Sequence, residues 1–202
     1  MLKQIATITA VSLTATACAS SHAEMMTGPP IPVVGIVNTE KIVELEVVEN
    51  SWKCPSCNKN EQYVLDQLQT VAQITDRNAL ATIMGNIKQE SGFVPNICEG
   101  GARVPYKRCY RGGYGLIQWT TERRYANLGL FCKKYKCNPS SLEGQTRFMI
   151  NESQFQKLLP EWRTTGHRVS QYMVPAYYWL GWGIEGDRRM YSYNYSKRLV
   201  WS

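Results

Sequence analysis

Between residues 60 and 90 the apolar positions recur at helical spacing. Tyr63, Val64, Leu68 and Val71 mark one amphipathic helix beginning near Asn60. Leu80, Ile83, Met84 and Ile87 follow i, i+3, i+4, i+7 and mark a second over Ala79–Gln89, antiparallel to the first. Asp76 or Asn78 is placed to cap the second helix, because a short polar side chain can accept from the N–H groups that a first turn leaves unbonded. Ile97–Ile117 breaks the pattern: rich in Gly, Tyr and Cys and without helical period, it reads as loops with a small β element, forming a cleft floor. Ser140-Ser141-Leu142-Glu143 fits a capping box opening a helix through Met149, Glu152 and Phe155 to Leu159, ended by Pro160, which gives Glu143 a structural role. Val169–Trp182 is heavily aromatic, and the following Tyr-Ser-Tyr-Asn-Tyr tract shows no clear period. Upstream, Met25–Pro32 reads as a Pro-rich linker, and Val33–Val48 alternates apolar and polar residues around Glu40, Glu44 and Glu46 as a strand pair would.

The 202 residues suffice for one domain with a core that does not depend on a metal. The first 23 residues have the form of a secretory signal peptide: Lys3, an apolar stretch from Ile5 to Leu13, then the small residues of Ser21-His22-Ala23. Cleavage after Ala23 competes with lipidation of Cys18 after Ala15-Thr16-Ala17. Nowhere does the chain offer the roughly 18 to 20 consecutive apolar residues of a membrane span. The expected organisation is a signal peptide over 1–23, a linker and arm over 24–58, and a catalytic domain over 59–202. Net charge is +7, in short basic groups such as Arg123-Arg124, Lys133-Lys134 and Arg188-Arg189. Such groups suit an anionic polymer such as a bacterial cell wall and do not indicate nucleic acid.

Beyond Cys18 stand Cys54, Cys57, Cys98, Cys109, Cys132 and Cys137, an even set in a chain expected to be exported to an oxidising space. Their close sequence pairs suggest Cys54 with Cys57, Cys98 with Cys109, and Cys132 with Cys137. The middle pair would pin the loop after residue 90. A zinc site from Cys54, Cys57, Cys132 and Cys137 has legitimate spacing and is the competing reading, disfavoured by export. A redox role for Cys54-Pro55-Ser56-Cys57 lacks the βαβ context that it needs.

Glu90 falls on the border of the buried stripe of the second helix, where that helix meets Gly92-Phe93-Val94-Pro95. Half-buried among apolar neighbours, a carboxyl group loses hydration of its charged form and can hold a proton near neutral pH, as a general acid must. A solvated helix-end glutamate is the plain alternative. One loop later, Tyr114-Gly115-Leu116-Ile117-Gln118-Trp119 brings two glycines for close approach, an amide and two aromatic faces.

Glu90-Ser91-Gly92-Phe93, then Gly115-Leu116-Ile117-Gln118-Trp119, then Leu142-Glu143-Gly144-Gln145 with Phe148, in that order and spacing, resembles the phage tail lysozyme family. More distantly the combination resembles soluble lytic transglycosylases and goose-type lysozymes. The likeness covers roughly residues 60–160. It implies a mainly α, α+β lysozyme-like fold, with a small β/loop region flanking a cleft. It further implies cleavage of the β-1,4 bond between N-acetylmuramic acid and N-acetylglucosamine in peptidoglycan glycan strands, without metal or cofactor. Glu90 matches the catalytic glutamate of the family, Ser91 a hydroxyl that orients substrate or acid, and Tyr114 and Gln118 positions that line its cleft. Ser91 could instead make a helix-end hydrogen bond, and Gln118 could instead hold its loop to the helix. Ala176-Tyr177-Tyr178 departs from the Ala-Tyr-Asn of the transglycosylases, leaving that motif unmatched.

Tyr106, Tyr110, Trp119, Tyr177, Trp179 and Trp182 could stack on sugar rings, Trp119 above all because of its motif, while packing is expected for most of them. A hydrolase would want a second carboxylate roughly 5–9 Å across the scissile bond. Glu99, between Cys98 and Cys109, is the best-placed candidate, ahead of Glu122, Glu152 and Asp187. Without a second carboxylate the transglycosylase route is favoured. Two other classes compete: a wall-binding module that keeps the fold without chemistry, and a Cys-His amidase or peptidase built on His167, for which an even thiol count leaves no spare nucleophile. His167 is the single histidine beyond the signal segment, too few for a zinc amidase.

Overall fold

The structure, a computed structural model, describes residues 50–110 and 112–202; the expected signal peptide, Cys18 and the strand pair at 33–48 lie outside the described residues. Helix α1 spans Lys59–Thr70 and α2 spans Arg77–Ser91. Both begin as their caps dictate. Asn58 accepts from the N–H groups of Asn60 and Glu61 in a capping box with Glu61, and Asp76 accepts from Asn78 and Ala79.

Helix α2 is the axis of the described body. Every residue from Ala79 to Ile87 is buried, which for the polar Thr82 and Asn86 requires bonds inside the helix: Thr82 Oγ1 donates to Asn78 O at 2.7 Å and Asn86 Nδ2 to Thr82 O at 2.8 Å. Around it pack α1, α7 (Val169–Leu180) and, most extensively, α8 (Arg188–Arg198). The α2–α8 crossing is close because its contact residues are small. A Cβ added to Gly85 would sit 2.4 Å from the backbone nitrogen of Ser192.

Helix α3 (Glu122–Tyr135) and α4 (Leu142–Asn151) pair on the far side, followed by the short helices α5 (Ser153–Lys157) and α6 (Leu159–Arg163). Phe155, Trp162, Tyr172 and Trp179 form an aromatic cluster there, with ring centroids 5.3–6.3 Å apart. A two-stranded antiparallel sheet joins the ends of the described chain: β1 (Trp52–Lys53) pairs with β2 (Val200–Trp201), Trp52 opposite Trp201. Residues just before α1, assigned to the arm from sequence, are therefore part of the folded body. The disulfides are Cys54–Cys57, Cys98–Cys109 and Cys132–Cys137, the pairing that the spacing suggests. No described helix is long and apolar enough to cross a membrane.

The mainly helical class and the small β element in the 97–117 loops are as expected, the latter as the bridges Ile97–Arg103 and Cys98–Tyr114. Three expectations need correction. The single helix predicted from Ser141 to Leu159 is three helices, because the chain leaves helical geometry at Glu152 (ψ 144°) and again at Leu158. Pro160 stands in the first turn of α6, where its missing N–H costs nothing, instead of ending a helix. The cap of α4 is Ser141, accepting from Gly144 N at 3.1 Å, one residue later than the predicted box, and Glu143 pairs with Arg147 at 3.5 Å.

Candidate active site

Glu90 occupies the last turn of α2. Gly92 ends that helix in the left-handed conformation (φ 59°), and Phe93 follows at φ 65° with its ring fully buried. A left-handed non-glycine residue is strained unless packing compensates, and burial of the Phe93 ring supplies that compensation. The chain turns sharply off the helix directly after Glu90, whose side chain is 14% exposed.

Ser91 fixes the neighbouring wall. Its Oγ donates to Leu116 O at 2.8 Å and accepts from Phe93 N at 3.1 Å, so α2 is bonded to the Tyr114–Trp119 loop. Gln145 on α4 holds the same loop from the other side, accepting from Leu116 N at 2.8 Å and donating to Pro95 O and Pro139 O. Gly115 must be glycine: its φ is 74°, and a Cβ would lie 2.3 Å from Gln145 Oε1. Gln118 is half-buried at φ 50° and donates to Gly115 O at 3.0 Å. The glutamines of the two motifs thus hold the loop together.

Tyr114 and Trp119 do not fit the expected role. Both are 0% exposed, so neither has a face to offer a sugar. Tyr114 donates its hydroxyl to Val104 O, and the Trp119 indole donates to Glu152 Oε2 at 3.3 Å. Glu152 also accepts from the Trp179 indole at 3.2 Å and, through both oxygens, from Arg124 at 3.1 and 2.6 Å. It is a buried structural hub joining α3, the end of α4, α7 and the loop, and so is not available as a second carboxylate. Trp179 is core as well, 1% exposed.

Glu99 is exposed on the disulfide-pinned loop, where its Oε2 accepts from Gly113 N at 3.0 Å. Near it lies an open groove of about 650 Å³, lined in part by Tyr106, Tyr110, Gly112, Thr120, Glu122 and Tyr125. The Tyr106 and Tyr125 rings stack at 4.3 Å, and each hydroxyl donates to the backbone carbonyl of the other residue. Burial and the neighbouring phenols push the Tyr125 hydroxyl up to about 12, so it remains a proton donor.

On the other flank, Tyr177 and Trp182 line a smaller groove of about 270 Å³ with Met173, Val174, Glu185 and Arg189. Glu185 is held below the usual carboxylate range first by its hydrogen bonds from Arg189, at 2.7 and 2.9 Å. Glu90 lines neither groove. Its partner is Arg188, whose Nη2 donates to Glu90 Oε1. Arg188, which the sequence groups with Arg189 as one of its short basic pairs, is 8% exposed and faces the candidate acid. It shares a helix face with Ser192 and Tyr195, a stripe of polar residues that a search for apolar periodicity passes over.

The six described cysteines are all bridged, so among the described residues none is left as the nucleophile that a Cys-His enzyme needs, and His167 rests on the Tyr172 ring at 5.4 Å. The same bridges use up the sulfurs of the alternative zinc set. Residues 59–175 match the family model of phage tail lysozymes. The chain belongs to the phage tail lysozyme family. The match takes in Glu90, Ser91 and the Tyr114–Trp119 loop and stops short of α8, so Arg188 lies beyond the segment that the family describes. Membership makes a lysozyme-like, peptidoglycan-degrading activity the general expectation for this member. No curated protein and no solved structure matches the chain.

Proposed function

We propose that the protein is an exported muramidase that cuts the β-1,4 bond between N-acetylmuramic acid and N-acetylglucosamine, with Glu90 as general acid. The observation that carries this reading is the placement of Glu90. It is a largely sheltered carboxyl group on the last turn of a buried helix, followed by a serine that ties the helix to the Tyr114–Trp119 loop. Family membership supports the substrate class, and three disulfides support an oxidising destination.

Glu90 gives its proton to the glycosidic oxygen as the bond to the muramic carbon breaks, and positive charge spreads over that carbon and its ring oxygen. Water or the sugar's own 6-hydroxyl then completes the reaction. In the hydrolytic route Glu99 is the candidate second carboxylate. In the transglycosylase route Glu90 takes back the proton of the 6-hydroxyl and an anhydro sugar leaves. Gln118 remains the candidate substrate contact of the motif loop, and Ser91 serves the site by fixing the loop.

Mass spectrometry of fragments released from purified peptidoglycan tests the reading. New reducing ends or anhydro ends support glycan cleavage, and new amino termini refute it. A non-catalytic wall-binding module is the second reading, favoured by one observation: Glu90 is engaged in an ion pair. Binding to the same material with no fragments released would select it.

A further inference from the structure

We propose that Arg188 is the positioning residue of Glu90, orienting its carboxyl group and stabilising the charge that appears there when the proton leaves. The inference rests on the reading of Glu90 as general acid. Arg188 is not an ordinary surface cation, of the kind whose ion pairs contribute little. Its side chain is 9% exposed and that of Glu90 14%, and the two residues are 98 positions apart in sequence.

Four contacts hold the guanidinium. Nη2 donates to Glu90 Oε1; Nη1 donates to Ile184 O at 3.0 Å and Glu185 O at 2.9 Å; the planar group lies 4.9 Å from the centre of the Trp182 ring. The fork of Arg suits this bridging, which the single point charge of Lys cannot reproduce. Nε is buried without a hydrogen-bond partner, so the guanidinium is held in place by its Nη1 and Nη2 groups and the Trp182 ring.

Placement is set by α8. Ser192 sits against Gly85 of α2, and Tyr195 donates to Glu61 of α1, so the register of α8 is pinned at two points on the face that also carries Arg188. The first residue of that helix is thereby delivered to the last turn of α2. When Glu90 transfers its proton, the Glu90 O–H bond breaks, an O–H bond forms on the leaving sugar, and Glu90 becomes a carboxylate. A hydrogen-bonded guanidinium stabilises that charged form and keeps its own proton throughout. Trp182 lies against Arg188 and also lines the groove beside α7.

The test uses the full chain with Arg188→Met and Arg188→Lys, assayed on solubilised glycan strands beside wild type and Glu90→Gln. Arg188→Met is expected to lower kcat by about 10²-fold, the cost of losing alignment of a catalytic group, with KM near the wild-type value. Guanidinium added at a non-denaturing concentration should restore part of that loss, and Arg188→Lys should retain an intermediate rate. Wild-type kcat in Arg188→Met while Glu90→Gln is inactive would overturn the inference and leave the reading of Glu90 intact. So would a loss that guanidinium and lysine both fail to relieve in proteins that melt as wild type does. If wild type itself cuts no glycan, the reading of Glu90 falls and the inference with it.

Discussion

Tyr195 donates its phenolic proton to Glu61 across 134 positions of sequence, tying the last helix to the first turn of α1. Glu61 is 4% exposed and also accepts from Asn58 N at 2.7 Å, with Lys88 at 3.6 Å and Arg198 at 3.9 Å. Burial alone would raise its carboxyl group, but the bonds from Tyr195 and Asn58 and the two cations outweigh burial and hold it below the usual range. Burial first, and then the same contact, pushes the Tyr195 phenol well up. Because the folded value of Glu61 is depressed, its stabilisation is fully present above the ordinary carboxylate value and is lost as pH falls through the folded one. Glu61→Gln should cost about 2 kcal/mol at neutral pH. In urea titrations across pH, the gap between wild type and variant should close towards acid; a gap that widens towards acid contradicts this account.

Glu152 bears four hydrogen bonds from Arg124, Trp119 and Trp179. Glu152→Ala leaves two buried indoles and a mostly buried guanidinium without their acceptor. A loss of about 3 kcal/mol by chemical denaturation is expected. A loss below about 1 kcal/mol, ordinary for an exposed ion pair, would show that the hub does not bind these elements.

At Gly115 the backbone angle and the space argue the same way. Gly115→Ala meets Gln145 Oε1 and a positive φ, at a cost of about 2 kcal/mol. It should also displace the Leu116 carbonyl that Ser91 uses, so glycan cleavage is expected to fall more than global stability alone explains, as judged by activity well below the melting transition.

Replacing Cys98 and Cys109 together by serine opens a loop closed across 11 positions. The expected loss is about 3 kcal/mol. The Cys98–Cys109 loop carries Glu99 and borders the groove lined by Tyr110 and Gly112. Activity should therefore suffer more than when Cys54 and Cys57 are replaced, which can be checked by assaying both variants at one temperature.

Where hydrophobicity and structure share a period, the fold was legible. The stripe Leu80, Ile83, Met84, Ile87 located α2, and Asp76, one of the two candidate caps, is where it starts. Helix α8 was invisible to the same reading because its buried face is Arg188, Ser192 and Tyr195, a helical repeat written in polar residues, of which Arg188 and Tyr195 bond to carboxylates far away in sequence. Trp119 and Tyr114 belong to the motif, yet they pack inward, since an indole or phenol whose polar tip finds a buried acceptor gains more from burial than from exposure. Glu90 could be singled out from its position on the helix border. Its guanidinium partner could not, because nothing local to residue 90 encodes a contact made 98 residues later.

The central claim is tested most directly by the rate at which Glu90→Gln releases glycan fragments from purified peptidoglycan, measured beside wild type with folding verified by circular dichroism. The account predicts a folded variant whose glycan cleavage falls by about 10²-fold or more. Wild-type cleavage by that variant would contradict it.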